Sequence, residues 1–163
     1  ANLSMPAQPL GLLGIFLFNF FLGGSVQEEF GWRGYALPRL LERRSPFAAA
    51  LILGTVWGLW HLPLFFIAGI GQAYMPIVPF LLLAIGFSFP FTRFYLKTGR
   101  SLFSALLFHA AINTSLNAFP VIDPRLGRDQ PAFVYLLAAY AVAALILVLS
   151  ERRWWFRRQP LAL

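Results

Sequence analysis

Long apolar stretches alternate with short charged segments along this chain. Five of them approach or exceed the roughly 20 mostly apolar residues that an α-helix needs to cross a bilayer. They span residues 9–27, 47–68, 76–96, 102–119 and 131–149. The first helix should continue beyond its apolar part to about residue 42. The pattern predicts an all-α, polytopic membrane helix bundle of about five transmembrane helices, forming one domain over residues 1–163.

Residues typical of helix ends support these bounds. Ser45 can cap the second helix with Pro46 in its first turn, and Ser101 can cap the fourth in the same way. Prolines inside the predicted helices include Pro38 in the first and Pro63 in the second. Each removes a backbone donor, so we expect a local distortion of the helix beside it.

Composition supports a membrane environment. Apolar residues make up 59% of the chain and charged residues only 12%, whereas soluble domains carry about 25% charged residues. The net charge is +7, but nucleic-acid binding needs a basic face, and here the charges fall in short clusters between apolar runs. We therefore expect membrane lipids as partners and no nucleic acid. The absence of cysteine excludes disulfides, a thiol nucleophile and thiolate metal ligands.

The distribution of basic residues predicts the orientation of the bundle. Most lie in the links after the first and third apolar segments and in the C-terminal tail, while the second link has none. The positive-inside rule then places the N-terminus outside and the C-terminus in the cytoplasm. Trp154 and Trp155, beside the last basic cluster, are expected to anchor the chain at the interface. Nearly all the basic residues are arginine, which favours a GC-rich bacterial source and hence a bacterial plasma membrane.

Four ionisable residues lie where a membrane helix should be apolar. Glu28 and Glu29 end the first apolar run, His61 lies within the second and His109 within the fourth. Ionisable groups at membrane depth are costly and generally functional. In a helical hairpin that turns near residue 45, Glu28 and His61 would lie at the same depth. We therefore expect one polar cluster in the cytoplasmic half of the bundle.

Helical spacing assigns side chains to faces. Glu29 and Arg33 are four residues apart and can form an ion pair, which would leave Glu28 pointing elsewhere. His109 and Asn113 have the same spacing, so their side chains should project together.

The residue types in this set suit peptide hydrolysis. A carboxylate and an imidazole, Glu28 and His61, could take a proton from water. A second imidazole and a carboxamide, His109 and Asn113, could stabilise a developing oxyanion. Trp57, one turn before His61, should pack on its ring.

Several alternatives remain at this point. The chain has no His-Glu-x-x-His motif, which argues against a zinc protease of that kind. It also has no aspartate within a predicted span, which argues against a paired-aspartate intramembrane protease. The sequence at Ser25 lacks the glycine that follows a typical serine nucleophile. A zinc ion held by Glu28, His61 and His109 is chemically reasonable. The same residues could instead be buried hydrogen-bond partners, with Glu29 and Arg33 as a surface ion pair.

Three short motifs then resemble a known family. Residues 28–33 match E-E-x-x-x-R, residues 109–113 match H-x-x-x-N/D, and residues 57–61 resemble F-x-x-x-H with Trp57 in place of Phe. Their order and spacing are similar to the CPBP family of intramembrane proteases, which is related to type II CAAX prenyl endopeptidases and to bacteriocin-processing proteins. The resemblance covers about residues 25–118.

The resemblance implies a glutamate-type intramembrane endopeptidase without a metal cofactor, acting on membrane-associated or prenylated peptides. Glu28 would be the catalytic glutamate, acting with His61, and His109 with Asn113 would form the oxyanion site. Two further residues would organise the first motif: Glu29 and Arg33.

Two departures from the family pattern matter. Trp57 is bulkier than Phe and would narrow a substrate groove. Family members also usually have more helices before the first motif, so the chain is expected to be a truncated or minimal version. Two other functions stay open: a non-proteolytic immunity or scaffold protein that uses the same polar pocket, and a small ion or proton pathway.

Overall fold

The computed structural model describes residues 9–119 and 121–158, and within these ranges every regular element is helical. The α-helices, numbered in chain order, are α1 (Pro9–Phe21), α2 (Ser25–Gly31), α3 (Leu37–Arg43), α4 (Pro46–Trp60), α5 (Ile77–Lys97), α6 (Leu102–Ala118), α7 (Pro131–Ser150) and α8 (Arg152–Phe156). A π-helical turn and three 3₁₀ turns complete the described part: Trp32–Ala36, Leu62–Phe66, Gly71–Tyr74 and Pro124–Leu126. The predicted all-α class is confirmed.

Four helical stretches of the described chain are long and apolar enough to cross a membrane: Pro9–Arg43, Pro46–Phe66, Ile77–Lys97 and Pro131–Ser150. They correspond to four of the five predicted segments. The other predicted segment forms α6, a helix of 17 residues, which is shorter than the roughly 20 that a crossing usually needs. The chain is a polytopic helical membrane protein.

The first segment differs from the continuous helix expected up to about residue 42. It is interrupted between α1 and α2, where Gly24 has a φ of +109°, a conformation that glycine adopts without steric cost. A π-helical turn, Trp32–Ala36, then lies just before Pro38. Proline lacks an N–H and crowds the carbonyl four residues earlier, so Pro38 accounts for the wider, π-helical turn before it.

The expected helix caps are present. Ser45 Oγ accepts from the Ala48 amide at 3.4 Å, and Ser101 Oγ accepts from the Ser104 amide at 3.2 Å. Near Pro63, α4 gives way to the 3₁₀ turn Leu62–Phe66, which is the distortion that the proline predicted.

The described residues form two compact units. One is made of residues 9–36 and 94–119, and the other of residues 37–93 and 121–158. In the first, α1 and α2 pack on α6. Asn19 is buried and donates to Thr114 Oγ1 at 3.2 Å and to Asn117 Oδ1 at 2.9 Å, so a polar contact fixes α1 on α6.

The second unit is built on a close approach of α4 and α5. A Cβ added to Gly54 would lie 2.8 Å from Ile85 Cα and from Ser88 Cβ, so only glycine fits there. Small residues at such contacts are typical of membrane helix packing. A buried apolar cluster then connects α4, α5, α7 and α8; it comprises Ala50, Phe89, Ala144 and Trp155. Trp155 is thus a core residue and not the interfacial anchor expected from the sequence.

Candidate active site

Glu29, Arg33 and His109 form a buried polar group in the first unit. Glu29 lies on α2 and Arg33 on the π-helical turn, and they are 0% and 1% exposed. Arg33 Nη1 donates to Glu29 Oε1 at 2.8 Å, and His109 Nδ1 of α6 lies 2.8 Å from the same oxygen. The predicted Glu29–Arg33 pair is confirmed, and because it is buried, the surface ion pair interpretation is wrong. Charges that are buried so fully persist only when they are paired.

The shared oxygen fixes the proton on the His109 ring. Glu29 Oε1 accepts from Arg33, and against this accepting oxygen the facing His109 atom serves as a donor. His109 therefore carries its proton on Nδ1, and in the neutral ring the lone pair is on Nε2. Glu29 consequently orients the His109 ring and is not itself placed as a free base.

Asn113 contacts the point where the first helix is interrupted. Its Nδ2 donates to the Gly23 carbonyl at 3.0 Å. His109, one turn earlier on α6, contacts Glu29 of α2. The prediction that the two side chains project together is confirmed, since both reach the segment formed by the α1–α2 break and α2.

The side chain of Glu28 is half-buried and lies over Gly24. A Cβ added to Gly24 would be 2.8 Å from Glu28 Oε1 and 3.8 Å from Asn113 Nδ2. Gly24 is therefore a further candidate site residue that the motifs did not indicate. The signal in the sequence is the glycine pair 23–24 before the two glutamates. Ser25 itself is completely buried, so it is not placed as an accessible nucleophile.

His61 lies in the second unit, at the end of α4. Its backbone N–H donates to Gly58 O at 3.2 Å, three residues back, in place of the carbonyl of Trp57. The His61 ring instead forms a hydrogen bond with the Trp57 carbonyl, with Nδ1 2.8 Å from Trp57 O. Because a carbonyl only accepts, Nδ1 carries a proton, and in the neutral ring the lone pair is on Nε2.

Aromatic rings surround His61, which is 8% exposed. The Trp57 ring meets it edge-on with centroids 5.2 Å apart, as predicted, and Trp60 and Phe80 lie at 5.0 and 5.3 Å. These contacts hold the imidazole in one orientation within an apolar environment.

The comparison with known proteins places these motifs in a family. The Rce1-like family of type II CAAX prenyl endopeptidases matches residues 9–115, which include all three motifs. The chain belongs to this family. A curated relative, CAAX prenyl protease 2 of Methanococcus maripaludis, is 36% identical over 137 residues. The match covers 80% of this chain and 48% of the relative, so the chain spans about half the length of that relative.

The structure divides the predicted site residues of this Rce1-like chain between the two units. The first unit brings together five of them: Glu28, Glu29, Arg33, His109 and Asn113. His61 and Trp57 belong to the second unit. The equal depth of Glu28 and His61, and the single polar cluster, stay predictions.

A zinc site would need three of these side chains close together. Within residues 9–119 and 121–158, no group of three or more His, Asp or Glu side chains is positioned to hold a metal ion. Both histidines also use Nδ1 in contacts with protein oxygens, which leaves one ring nitrogen on each as a potential ligand.

Proposed function

We propose that this protein is an endopeptidase that hydrolyses peptide bonds of membrane-associated or prenylated, CAAX-type peptides. The observation that carries the proposal is the buried group in which Glu29 Oε1 contacts both Arg33 and His109, beside Glu28 and Asn113. Membership of the Rce1-like family supports the same reaction class.

In this proposal Glu28 and His61 activate a water molecule. The carboxylate of Glu28 takes the proton as the water oxygen attacks the scissile carbonyl, and the same proton later passes to the leaving amine. The Nδ1 bond of His61 to Trp57 O leaves Nε2 as the atom that orients the water. General-base groups of this kind typically contribute about 10²–10⁴-fold to the rate.

His109 and Asn113 are proposed to stabilise the tetrahedral oxyanion. Because the Nδ1 proton of His109 is directed to Glu29, donation to an oxyanion uses Nε2–H and requires the imidazolium form. The buried carboxylate of Glu29 stabilises that cation. Asn113 uses one amide hydrogen on Gly23 O, and its second amide hydrogen is the proposed oxyanion donor.

The proposed location of the protein is the plasma membrane of a bacterium. The proposed mechanism uses no cofactor. In the zinc alternative, Glu28 and the Nε2 atoms of His61 and His109 would be the ligands. Zinc would then polarise the carbonyl and lower the pKa of bound water.

The test is cleavage of a fluorogenic prenylated CAAX peptide by the full chain in liposomes, with and without a chelator. Glu28→Gln should lower kcat by about 10²-fold or more. The matched control is Glu42→Gln, which removes one carboxylate from an exposed position and should leave the rate unchanged.

The outcomes separate the alternatives. Activity that survives chelation and is lost in Glu28→Gln supports the glutamate mechanism. Activity that the chelator removes and zinc restores assigns the residues to a metal site. A well-folded chain that cleaves no member of a peptide panel contradicts the proposal and favours the immunity or scaffold function.

A further inference from the structure

A cluster of exposed arginines lies where α7 ends and α8 begins, and the proposed proteolysis does not use it. We call this region the α7–α8 corner. After Ser150 the chain turns at Glu151 into α8, where Arg152 and Arg153 are exposed, and exposed Arg157 follows the helix. Trp155 is completely buried, and its Nε1 donates to Leu147 O of α7 at 3.1 Å. This contact fixes α8 on the end of α7, so the arginines lie on an ordered surface.

The nearest carboxylate is already engaged. Glu151 is the sole acidic residue between positions 130 and 163. It forms a two-point ion pair with Arg93 of α5, through Nε–Oε2 and through Nη2–Oε1 at 2.6 Å. Arg93 also lies 4.3 Å from the centre of the Trp154 ring. Within the described part of the chain, no acidic side chain pairs with Arg152, Arg153 or Arg157, so their positive charge faces outward uncompensated.

Three of the exposed arginines line a concave surface. A cavity of about 430 Å³ is lined by Arg152, Arg153, Phe156 and Arg157. Guanidinium groups bind phosphate oxygens through two parallel hydrogen bonds, and three of them around one cavity match a phosphate-bearing group.

The location of these arginines at the end of a membrane-spanning stretch favours the phosphate of a lipid headgroup. The corner directly follows Pro131–Ser150, one of the stretches long enough to span the membrane. On that helix Leu145 and Leu149 are one turn apart, 57% and 61% exposed, and lead along the helix towards the arginines. An amphipathic ligand could therefore place its headgroup on the arginines and its acyl chains along α7. A free phosphate would contact the arginines alone.

We propose that the α7–α8 corner binds the headgroup of an anionic phospholipid through Arg152, Arg153 and Arg157. The site is separate from the proposed proteolytic residues, so its test does not depend on cleavage. Each arginine near an anionic lipid surface contributes about fivefold to the affinity, so removal of two should weaken retention about 25-fold.

The experiment measures lipid retention by native mass spectrometry on the full chain in detergent, with equal phosphatidylglycerol and phosphatidylcholine. We expect the wild type to retain phosphatidylglycerol selectively. Arg153→Gln with Arg157→Gln should lose this selectivity. The matched control is Arg43→Gln with Arg44→Gln, which removes the same charge from two exposed arginines elsewhere and should retain it.

Three outcomes would overturn the proposal. Equal loss in the control would show non-specific attraction, and unchanged retention in Arg153→Gln with Arg157→Gln would place the lipid elsewhere. Competition by millimolar inorganic phosphate alone would indicate a site for a soluble anion. Arg153→Lys with Arg157→Lys keeps the charge, so this variant should keep at least part of the selectivity and show wild-type helicity. That result would show that the loss in the glutamine variant is a loss of binding and not of folding.

Discussion

His109 Nδ1 lies 2.8 Å from Glu29 Oε1, although 80 positions separate the two residues. The contact connects the first and third sequence motifs of the family through one carboxylate oxygen, which Arg33 also contacts. The second glutamate of the first motif is thus committed to holding a histidine and an arginine. This leaves Glu28 as the carboxylate proposed to act on water.

Replacement of Glu29 should harm both stability and activity. Glu29→Gln removes the carboxylate to which buried Arg33 donates, and breaking a buried pair typically costs about 3–5 kcal/mol. Glu29→Leu with Arg33→Leu removes both charges and should recover much of the thermal stability, while activity stays low because His109 has lost its partner. Thermal unfolding in detergent and peptide cleavage check the two effects. Recovery of activity in the double variant would contradict the assigned role of Glu29.

His109→Gln should act mainly on kcat. Loss of one oxyanion donor typically lowers kcat by about 10²–10³-fold, whereas KM should change little because the oxyanion forms only in the transition state. Steady-state kinetics on the fluorogenic peptide separate the two parameters. A variant in which KM rises and kcat is unchanged would place His109 in substrate binding instead.

Gly24→Ala should inactivate the protein while most of its fold is retained. Gly24 has a φ of +109°, and an added Cβ would lie 2.8 Å from Glu28 Oε1. The left-handed conformation costs a residue with a Cβ about 1–2 kcal/mol, and the carboxylate must also move. The matched control is Gly31→Ala, where nothing lies within 4 Å of an added Cβ. Circular dichroism and cleavage should show normal helicity in both and low activity only in Gly24→Ala.

The contact of Asn19 with α6 should contribute modestly to stability. Asn19 donates to Thr114 and Asn117. Hydrogen bonds between membrane helices average about 0.6 kcal/mol in double-mutant cycles. A cycle with Asn19→Ala and Asn117→Ala, followed by unfolding in mixed micelles, should give a coupling energy of this size. A coupling energy of zero would show that the bond does not stabilise the packing of α1 on α6.

Local features of this protein could be predicted from the sequence because helix geometry fixes them. The apolar runs predicted the helices, Ser45 and Ser101 predicted two caps, and the four-residue spacing predicted the Glu29–Arg33 pair. The order of the three motifs indicated the family that the comparison confirmed.

Other features depended on how the helices pack. Sequence spacing gave no indication that His109 meets Glu29, that Asn113 reaches Gly23 O, or that Trp155 is buried. The break at Gly24 was also missed, because glycine is tolerated inside membrane helices and only its φ of +109° reveals an interruption.

The sequence by itself therefore determined the helices, the pairing within a helix turn and the motif order. Within a helix, 3.6 residues per turn set which side chains are neighbours. The tertiary structure alone decided which carboxylate holds His109 and which lies over Gly24, because contacts between distant residues depend on the packing of α1 and α2 on α6, which no periodicity in the sequence encodes.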